Sequence, residues 1–308
     1  MQPAASIRLG TRSSPLARWQ AEWVAGQLQD RGVAVQMIHI TTQGDVKTGP
    51  LGQIGGQGLF TKEIQRSLLS GAVDLAVHSL KDLPTAPVPG LTLAAVPPRE
   101  STRDVLVGRT AKRLEDLPPG ARVGTGSPRR QAQLRHFRPD LELLDIRGNV
   151  DSRLRKLDAG DYDAIVLAQA GLSRLGLADR ITQIIPAEIM LPAVGQGALG
   201  LETRENDDAT RAALQALDDP TTHQAVLAER TVLAALRAGC LAPVGVWARI
   251  VESGQLQLDA VVMSDDGQQR IAATASADPN NAVQLGEQVA HNLSEQGALE
   301  LIAHARRS

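Results

Sequence analysis

The chain has 308 residues, 43% of them apolar and 21% charged, a balance that supports packed domains rather than disorder and is long enough for two or three cores. A formal net charge of -2, a pI near 6.3 and only 2% aromatic residues give no whole-molecule field or stacking surface for nucleic acid. One cysteine, Cys240, excludes an internal disulfide framework, and six histidines without HxH or HExxH spacing give no reason to expect a structural metal.

The N-terminal "MQPAASIRLGTR" has no basic start leading into an apolar stretch, and no run of about 18 uncharged apolar residues follows, so a cytoplasmic chain without a membrane span is expected. Ser6 to Thr11 reads as a short strand. Beyond "RSSP", Leu16, Trp19, Trp23, Val24 and Leu28 recur at helical spacing, with Ser14 as N-cap, Pro15 at the first helical position and Gly32 as the stop. "GGQG" (Gly55 to Gly58) has no GK[ST] after it and reads as a flexible lid before a helix beginning near Phe60. "LLSGAVDLAVHSL" (Leu68 to Leu80) gives a helix end, a glycine, Asp74 and a buried strand, closed by the paired charge of Lys81 and Asp82. Proline-rich joins follow, up to "LPPG" near 117–120.

Both patterns then recur. "ARVGTGSPRRQAQLRHF", from Ala121, repeats the strand, the Gly-Thr end and a Ser-Pro helix start at Ser127 and Pro128. "LDAGDYDAIVLAQ" (Leu157 to Gln169) repeats the second pattern, with Asp163 in the place of Asp74. Two similar α/β lobes are the economical reading. "GQGALG" (Gly195 to Gly200) fits GxGxxG, but "LETREN" does not open an apolar-faced helix, so no dinucleotide site is expected. After Pro220 a helix through Arg237 leads into "VGVWARI", "QLQLDAVVM" and "QRIAATAS", with a last helix from near Asn281, which together read as a small α+β domain with an antiparallel sheet.

Twenty-seven of the 32 basic residues are arginine. Genome composition accounts for that as well as a need for planar bidentate donors does, so position has to discriminate. Residues 120–160 hold nine Arg/Lys against five Asp/Glu. Each Ser-Pro turn opens a helix whose free N–H groups suit an anion, yet Arg12 lies beside the first, and Arg129 and Arg130 fall in the first turn of the second. Cations there oppose the helix dipole by roughly 0.3–1 kcal/mol each, so something negative should offset them. Arg147, Arg153 and Arg155 follow at and after a strand end. A solvated basic face accounts for any one of these arginines, but their gathering at loops directed toward a ligand cleft favours an anion site. Asp82, at the carboxyl end of a buried strand, suits a cationic centre or proton transfer; the alternative is a turn aspartate with Lys81 as a surface partner. Cys240, just after a helix C-terminus, reads by itself as an inert thiol.

In order, "TRSSPLA", "GLFTKE", "VHSLKDLP", "GTGSPRR", "RGNV", "LPAVGQGALG" and "AGCLAP" resemble the porphobilinogen deaminase (hydroxymethylbilane synthase) family over nearly the whole chain. The resemblance implies three domains: an α/β lobe at 1–97 and 198–216, a second at 98–197, both like the lobes of type II periplasmic binding proteins, and a small α+β domain at 217–308. It implies a monomer that joins four porphobilinogen molecules head to tail with loss of ammonia, yielding the linear tetrapyrrole hydroxymethylbilane of haem and chlorophyll biosynthesis. A dipyrromethane cofactor, held by a thioether to Cys240, would be the primer, which overrides the inert-thiol reading. Asp82 matches the catalytic aspartate, expected to bind pyrrole N–H groups, stabilise the azafulvenium formed on ammonia loss and assist proton transfer. Arg12, Ser14, Lys81, Thr125, Ser127, Arg129, Arg130, Arg147, Arg153 and Arg174 match positions that bind acetate and propionate groups. Gln53 and Gln57 stand where some members carry lysine, and Pro128 and Ala238 also depart from the commonest forms, without removing a reacting group. A non-catalytic two-lobed carboxylate-binding protein is the other class open to this chain; it would need neither Asp82 nor Cys240.

Overall fold

A computed structural model describes residues 6–41, 61–239 and 242–305. The chain separates into two compact units, Met1–Glu100 with Ala198–His223, and Ser101–Gly197 with Gln224–Ser308. In chain order the elements are β1 (Ile7–Thr11), α1 (Pro15–Gln29), β2 (Val35–His39), α2 (Lys62–Leu69), β3 (Leu75–Ser79), β4 (Leu91–Ala95), β5 (Asp104–Gly108), β6 (Arg122–Gly124), α3 (Pro128–Phe137), β7 (Glu142–Leu144), α4 (Val150–Asp158), β8 (Ala164–Ala168), α5 (Gln169–Arg174), β9 (Gln183–Ile184), β10 (Leu199–Arg204), α6 (Asp208–Leu214), α7 (Pro220–Ala235), β11 (Val244–Ile250), β12 (Leu256–Met263), β13 (Arg270–Ala277), α8 (Ala282–Glu295) and α9 (Ala298–Ala305). The expected strands and helices at both repeats form. The lid at Gly55 to Gly58, with Gln53 and Gln57, lies outside the described residues.

The first unit holds a five-stranded sheet in the order β2-β1-β3-β10-β4, and the second holds another in the order β7-β6-β8-β5-β9. In the first sheet β1 runs parallel to β2 and β3, while β10 is antiparallel to β3 and β4. The second sheet repeats this: β6 is parallel to β7 and β8, and β5 is antiparallel to β8 and β9. The two sheets therefore share one topology, each with a single reversed strand in the fourth place. The central strands β3, β5 and β8 are buried along nearly their whole length and read as largely apolar runs, whereas the edge strands β2 and β7 are only partly buried. Leu9, Leu75 and Leu201 pack against Val24 and Leu28 of α1, while Ala76 and Val73 meet Ile64 and Leu68 of α2. In the second sheet Leu106, Val123 and Val166 pack on Leu134 of α3, and Val105, Ile165 and Leu167 on Leu154 and Leu157 of α4.

The repeat extends to single side chains. Asp74 accepts the backbone N–H of Arg8 at 3.1 Å and its guanidinium Nε at 2.9 Å, and Asp163 accepts the backbone N–H of Arg122 at 2.9 Å and its Nε at 3.4 Å. An arginine at the end of the reversed strand completes each staple, Arg204 to Asp74 at 2.8 Å and Arg109, just past β5, to Asp163 at 3.4 Å. Gly10 within β1 and Gly124 at the end of β6 each stand where a Cβ would crowd a neighbour, Gly10 meeting Ile40 at 3.0 Å as well as Val73. A Cβ on Gly10 would lie 3.2 Å from Val73, and one on Gly124 would lie 2.8 Å from Tyr162.

The C-terminal part of the second unit is a three-stranded antiparallel sheet, β11-β12-β13, whose core includes Val246, Leu258 and Val262 against Val232 of α7 and Leu285, Val289 and Leu293 of α8. The single last helix expected from the sequence is broken at Gly297, whose φ of 94° ends α8 and lets α9 start in a new direction. This part is seated on the second sheet's layers. Ala132 and Leu191 pack with Val261 and Met263. Arg135 Nη1 donates to the Asp265 carbonyl at 2.5 Å, and Trp247 is stacked between Arg103 and Arg249, whose guanidinium carbons lie 4.4 and 3.7 Å from the ring centre.

Candidate active site

In the first unit the candidate residues leave the sheet at one edge, because β1 and β3 are parallel neighbours. Arg12 and Ser14 follow β1. Ser14 caps α1, its Oγ accepting the Ala17 N–H at 3.4 Å, with Pro15 at the first helical position. Lys81 and Asp82 follow β3 on a single 3-10 turn, Leu80–Asp82, pinned by the fully buried Leu80, whose N–H donates to the Ala198 carbonyl at 3.0 Å. Under the end of that strand, Ser79 exchanges hydrogen bonds with buried Gln20 at 2.8 and 3.1 Å. Asp82 is exposed, with neither hydrogen bond nor ion pair to any described residue. A carboxylate on a fixed turn with its oxygens uncommitted can accept N–H donors and take up a proton.

In the second unit Thr125 and Ser127 follow β6, Arg147 follows β7 and Arg174 ends the helix after β8, all at the carboxyl edge of parallel neighbours. Thr125 is fully buried, and its Oγ1 accepts the Ser127 N–H at 3.4 Å. Ser127 and Asn149, the N-caps of α3 and α4, make no side-chain cap bond, which leaves first-turn N–H groups available. Arg153 Nε donates to the Gly148 carbonyl at 2.8 Å, and Arg174 Nη2 to the Gly197 carbonyl at 2.7 Å. Arg147 is partly exposed, and its guanidinium meets no described hydrogen-bond acceptor. Cys240 lies outside the described residues.

Arg129 and Arg130 are not on a solvated face. They are 4% and 6% exposed, and the negative group that offsets them is Asp104, 0% exposed, at the start of β5. Arg129 Nη1 donates to Asp104 Oδ2 at 2.7 Å and to the Leu191 carbonyl at 2.5 Å. Arg130 Nε and Nη2 grip Asp104 Oδ1 at 2.9 and 2.7 Å, and its Nη1 reaches the Val166 carbonyl at 3.0 Å. Burial opposes ionisation of Asp104, but the two guanidiniums outweigh it and hold the carboxyl well below the ordinary carboxylate range. Burial likewise pulls the Arg129 guanidinium below its ordinary value against the attraction of Asp104. Sequence reasoning missed Asp104. Its only signal was a lone aspartate opening the apolar run "DVLVG", a residue that can be buried there only if paired.

The donor set fits a polycarboxylate pyrrole cofactor. Arg129 Nε is buried without an acceptor, two helix N-caps stay open, and Ser127, Arg147 and Arg153 surround them in sequence and edge position. Among the described residues no cluster of three or more His, Cys, Asp or Glu could hold a metal, and no helix is long and apolar enough to cross a membrane.

Two α/β lobes that share one sheet topology, followed by a small three-stranded α+β part, define an α/β protein whose candidate residues follow the parallel strands of each lobe. Residues 7–212 match "Porphobilinogen deaminase, dipyromethane cofactor binding domain" and residues 223–295 match "Porphobilinogen deaminase, C-terminal domain". The chain belongs to the porphobilinogen deaminase family. It is 47% identical over 303 residues to the porphobilinogen deaminase of Syntrophotalea carbinolica, covering 97% of this chain and 96% of that one. It is 48% identical over 307 residues to that of Thermobifida fusca (97% and 96%), and 45% over 307 residues to that of Chlorobium luteolum (97% and 98%).

Proposed function

We propose that this chain is a transferase that assembles hydroxymethylbilane from four porphobilinogen molecules and one water, which supplies the product's hydroxyl, with loss of four ammonia molecules, acting as a cytoplasmic monomer with no nucleic-acid partner. The observation that carries the reading is the match of both family domains over nearly the full length. The division of labour follows the domains expected from the sequence: 1–97 with 198–216 carries Asp82, 98–197 the anion donors, and 217–308 Cys240. The cofactor, when bound, supplies the free pyrrole α-carbon that is the first nucleophile.

Each condensation breaks the C–N bond of a porphobilinogen aminomethyl group, forms a C–C bond to a pyrrole α-carbon, and releases ammonia together with the α-proton. Asp82 accepts the substrate's pyrrole N–H, offsets the positive charge that spreads over the ring as ammonia leaves, and receives the proton lost from the α-carbon. Its exposure, and the absence of a hydrogen bond or ion pair to it among the described residues, support that role. Arg12, Ser14, Lys81, Thr125, Ser127, Arg129, Arg130, Arg147, Arg153 and Arg174 hold the acetate and propionate groups of cofactor, substrate and growing chain. Planar guanidiniums serve better than ammonium groups here because each new pyrrole brings two carboxylates.

Intact-mass spectrometry of the chain beside its Cys240→Ser variant, paired with an assay of ammonia release from porphobilinogen, tests this reading. A two-pyrrole mass on the parent alone, with turnover, is expected. An unmodified parent chain made in cells that produce porphobilinogen, inactive toward it, would leave a carboxylate-binding protein instead.

A further inference from the structure

The "GQG" of residues 195–197, which has no role as a dinucleotide motif, runs into strand β10 and forms a turn whose three residues are each held by a different partner. Gly195 and Gly197 have φ of 69° and 86°, a left-handed backbone that glycine adopts without a Cβ penalty. The Gly195 N–H donates at 2.8 Å to Oε2 of Glu229, a fully buried residue of α7, and Glu229 Oε1 accepts the Ala248 N–H of β11 at 2.9 Å. Gln196, also fully buried, donates from Nε2 to Asp104 Oδ1 at 3.0 Å and to the Thr102 carbonyl at 2.7 Å. The Gly197 carbonyl accepts Arg174 Nη2 at 2.7 Å.

At Asp104 the charges do not cancel, the other buried carboxylate at this turn, Glu229, accepting the Gly195 and Ala248 N–H groups rather than either guanidinium. Two guanidiniums face one carboxylate, and among the described residues no second acid pairs with either of them. A buried surplus of one positive charge is costly unless an anion meets it, and Arg129 Nε is buried with no acceptor. Gln196 occupies the position at which a carboxylate would erase the surplus. Its neutral amide instead supplies a third donor to Asp104 Oδ1, beside the two from Arg130.

We propose that Gln196 is a positioning residue that, acting through Asp104, fixes Arg129 and Arg130 while leaving their site one net positive charge, so that it accepts a single carboxylate of a pyrrole substrate or chain. This rests on the proposed reading that Arg129 and Arg130 bind such carboxylates. Gln196 acts by setting the direction and the charge of these two guanidiniums, and the turn that carries it is tied through Glu229 to α7 and β11.

The test is a charge series in the full chain: wild type, Gln196→Glu, Gln196→Met, and Gln196→Glu combined with Asp104→Asn. KM and kcat for porphobilinogen, the fraction of chains carrying the two-pyrrole mass, and Tm are read for each. Gln196→Glu cancels the surplus and is expected to lower kcat/KM about tenfold or more, mainly through KM, and to reduce the loaded fraction. Gln196→Met keeps volume and surplus while losing both donors, and is expected to fall between that variant and wild type. The double variant moves the carboxylate from 104 to 196, restores the surplus and is expected to recover KM and loading relative to Gln196→Glu. A Gln196→Glu chain that matches wild type, a double variant worse than both singles, or losses that merely follow Tm would each overturn the proposal in an active wild type. A wild type that releases no ammonia from porphobilinogen overturns the functional reading and this inference with it.

Discussion

Asp82 and Asp104 are both aspartates at strand termini, and their surroundings separate their functions. Asp82 sits past the carboxyl end of β3, exposed and uncommitted, whereas Asp104 opens β5 with every oxygen taken by a guanidinium or Gln196. Asp82→Ala is expected to keep Tm within about 2 °C, because no hydrogen bond or ion pair to a described residue is lost, and to lower turnover by more than the ~10²–10³ typical of one electrostatic stabiliser. Ammonia release and thermal melting check this, and near-normal turnover would end the assignment. Asp104→Ala should behave in the opposite way. It leaves two buried guanidiniums facing each other, and a loss of about 3–5 kcal/mol in urea unfolding is expected. Arg129 holds Asp104 and the Leu191 carbonyl, so Arg129→Leu should reduce stability as well as the carboxylate binding proposed for it. From sequence, the crowding of arginine at a helix start correctly demanded a counter-charge. It could not identify Asp104, which lies 25 residues away from Arg129 and is brought there only by the sheet.

At the scale of elements, the internal echo was the most legible feature. A strand, Gly-Thr, Ser-Pro and a helix, and then a helix, glycine, aspartate and strand, appear twice in the sequence, and each pair folds alike. The aspartates of the echo became the staples of the two sheets. Burial raises the pKa of Asp74, but hydrogen bonds from Arg8 and Arg204 prevail and bring it from 3.8 to about 2. A group depressed in the folded state adds stability above its unfolded pKa and loses it as pH falls through the folded value. Asp74→Asn is therefore expected to cost about 1–2 kcal/mol at neutral pH, after allowance for solvent screening, and to flatten the loss of stability between roughly pH 4 and 2. Urea titrations across that range measure it, and an unchanged acid limb would show that the staple adds nothing. The reversed strands β5 and β10 were not legible as such. Direction in a sheet depends on which neighbour a strand meets, and a buried apolar run carries the same pattern either way.

At the scale of the whole molecule, the C-terminal sheet and the second lobe form one compact unit, although the sequence reads them as separate domains. Trp247 in its stack between Arg103 and Arg249 is part of what joins them, together with Arg135 and the apolar contacts of Leu191, Val261 and Met263. Trp247→Leu removes two cation–π contacts of about 0.5–2 kcal/mol each and should lower the unfolding midpoint of this unit; equal midpoints by circular dichroism would remove the stack from the account. The sequence by itself determined the two α/β lobes, the α+β end and the family, and it singled out Asp82 and Cys240 for the roles proposed, because hydrophobic period, turn residues and motif order are local in the chain. Only the tertiary structure decided that Arg129 and Arg130 share a buried carboxylate and that a dismissed glycine motif braces it. Charge pairing is set by distance in space, and residues 104, 129, 130 and 196 become neighbours only when β5 and β8 align and the turn before β10 closes beside them.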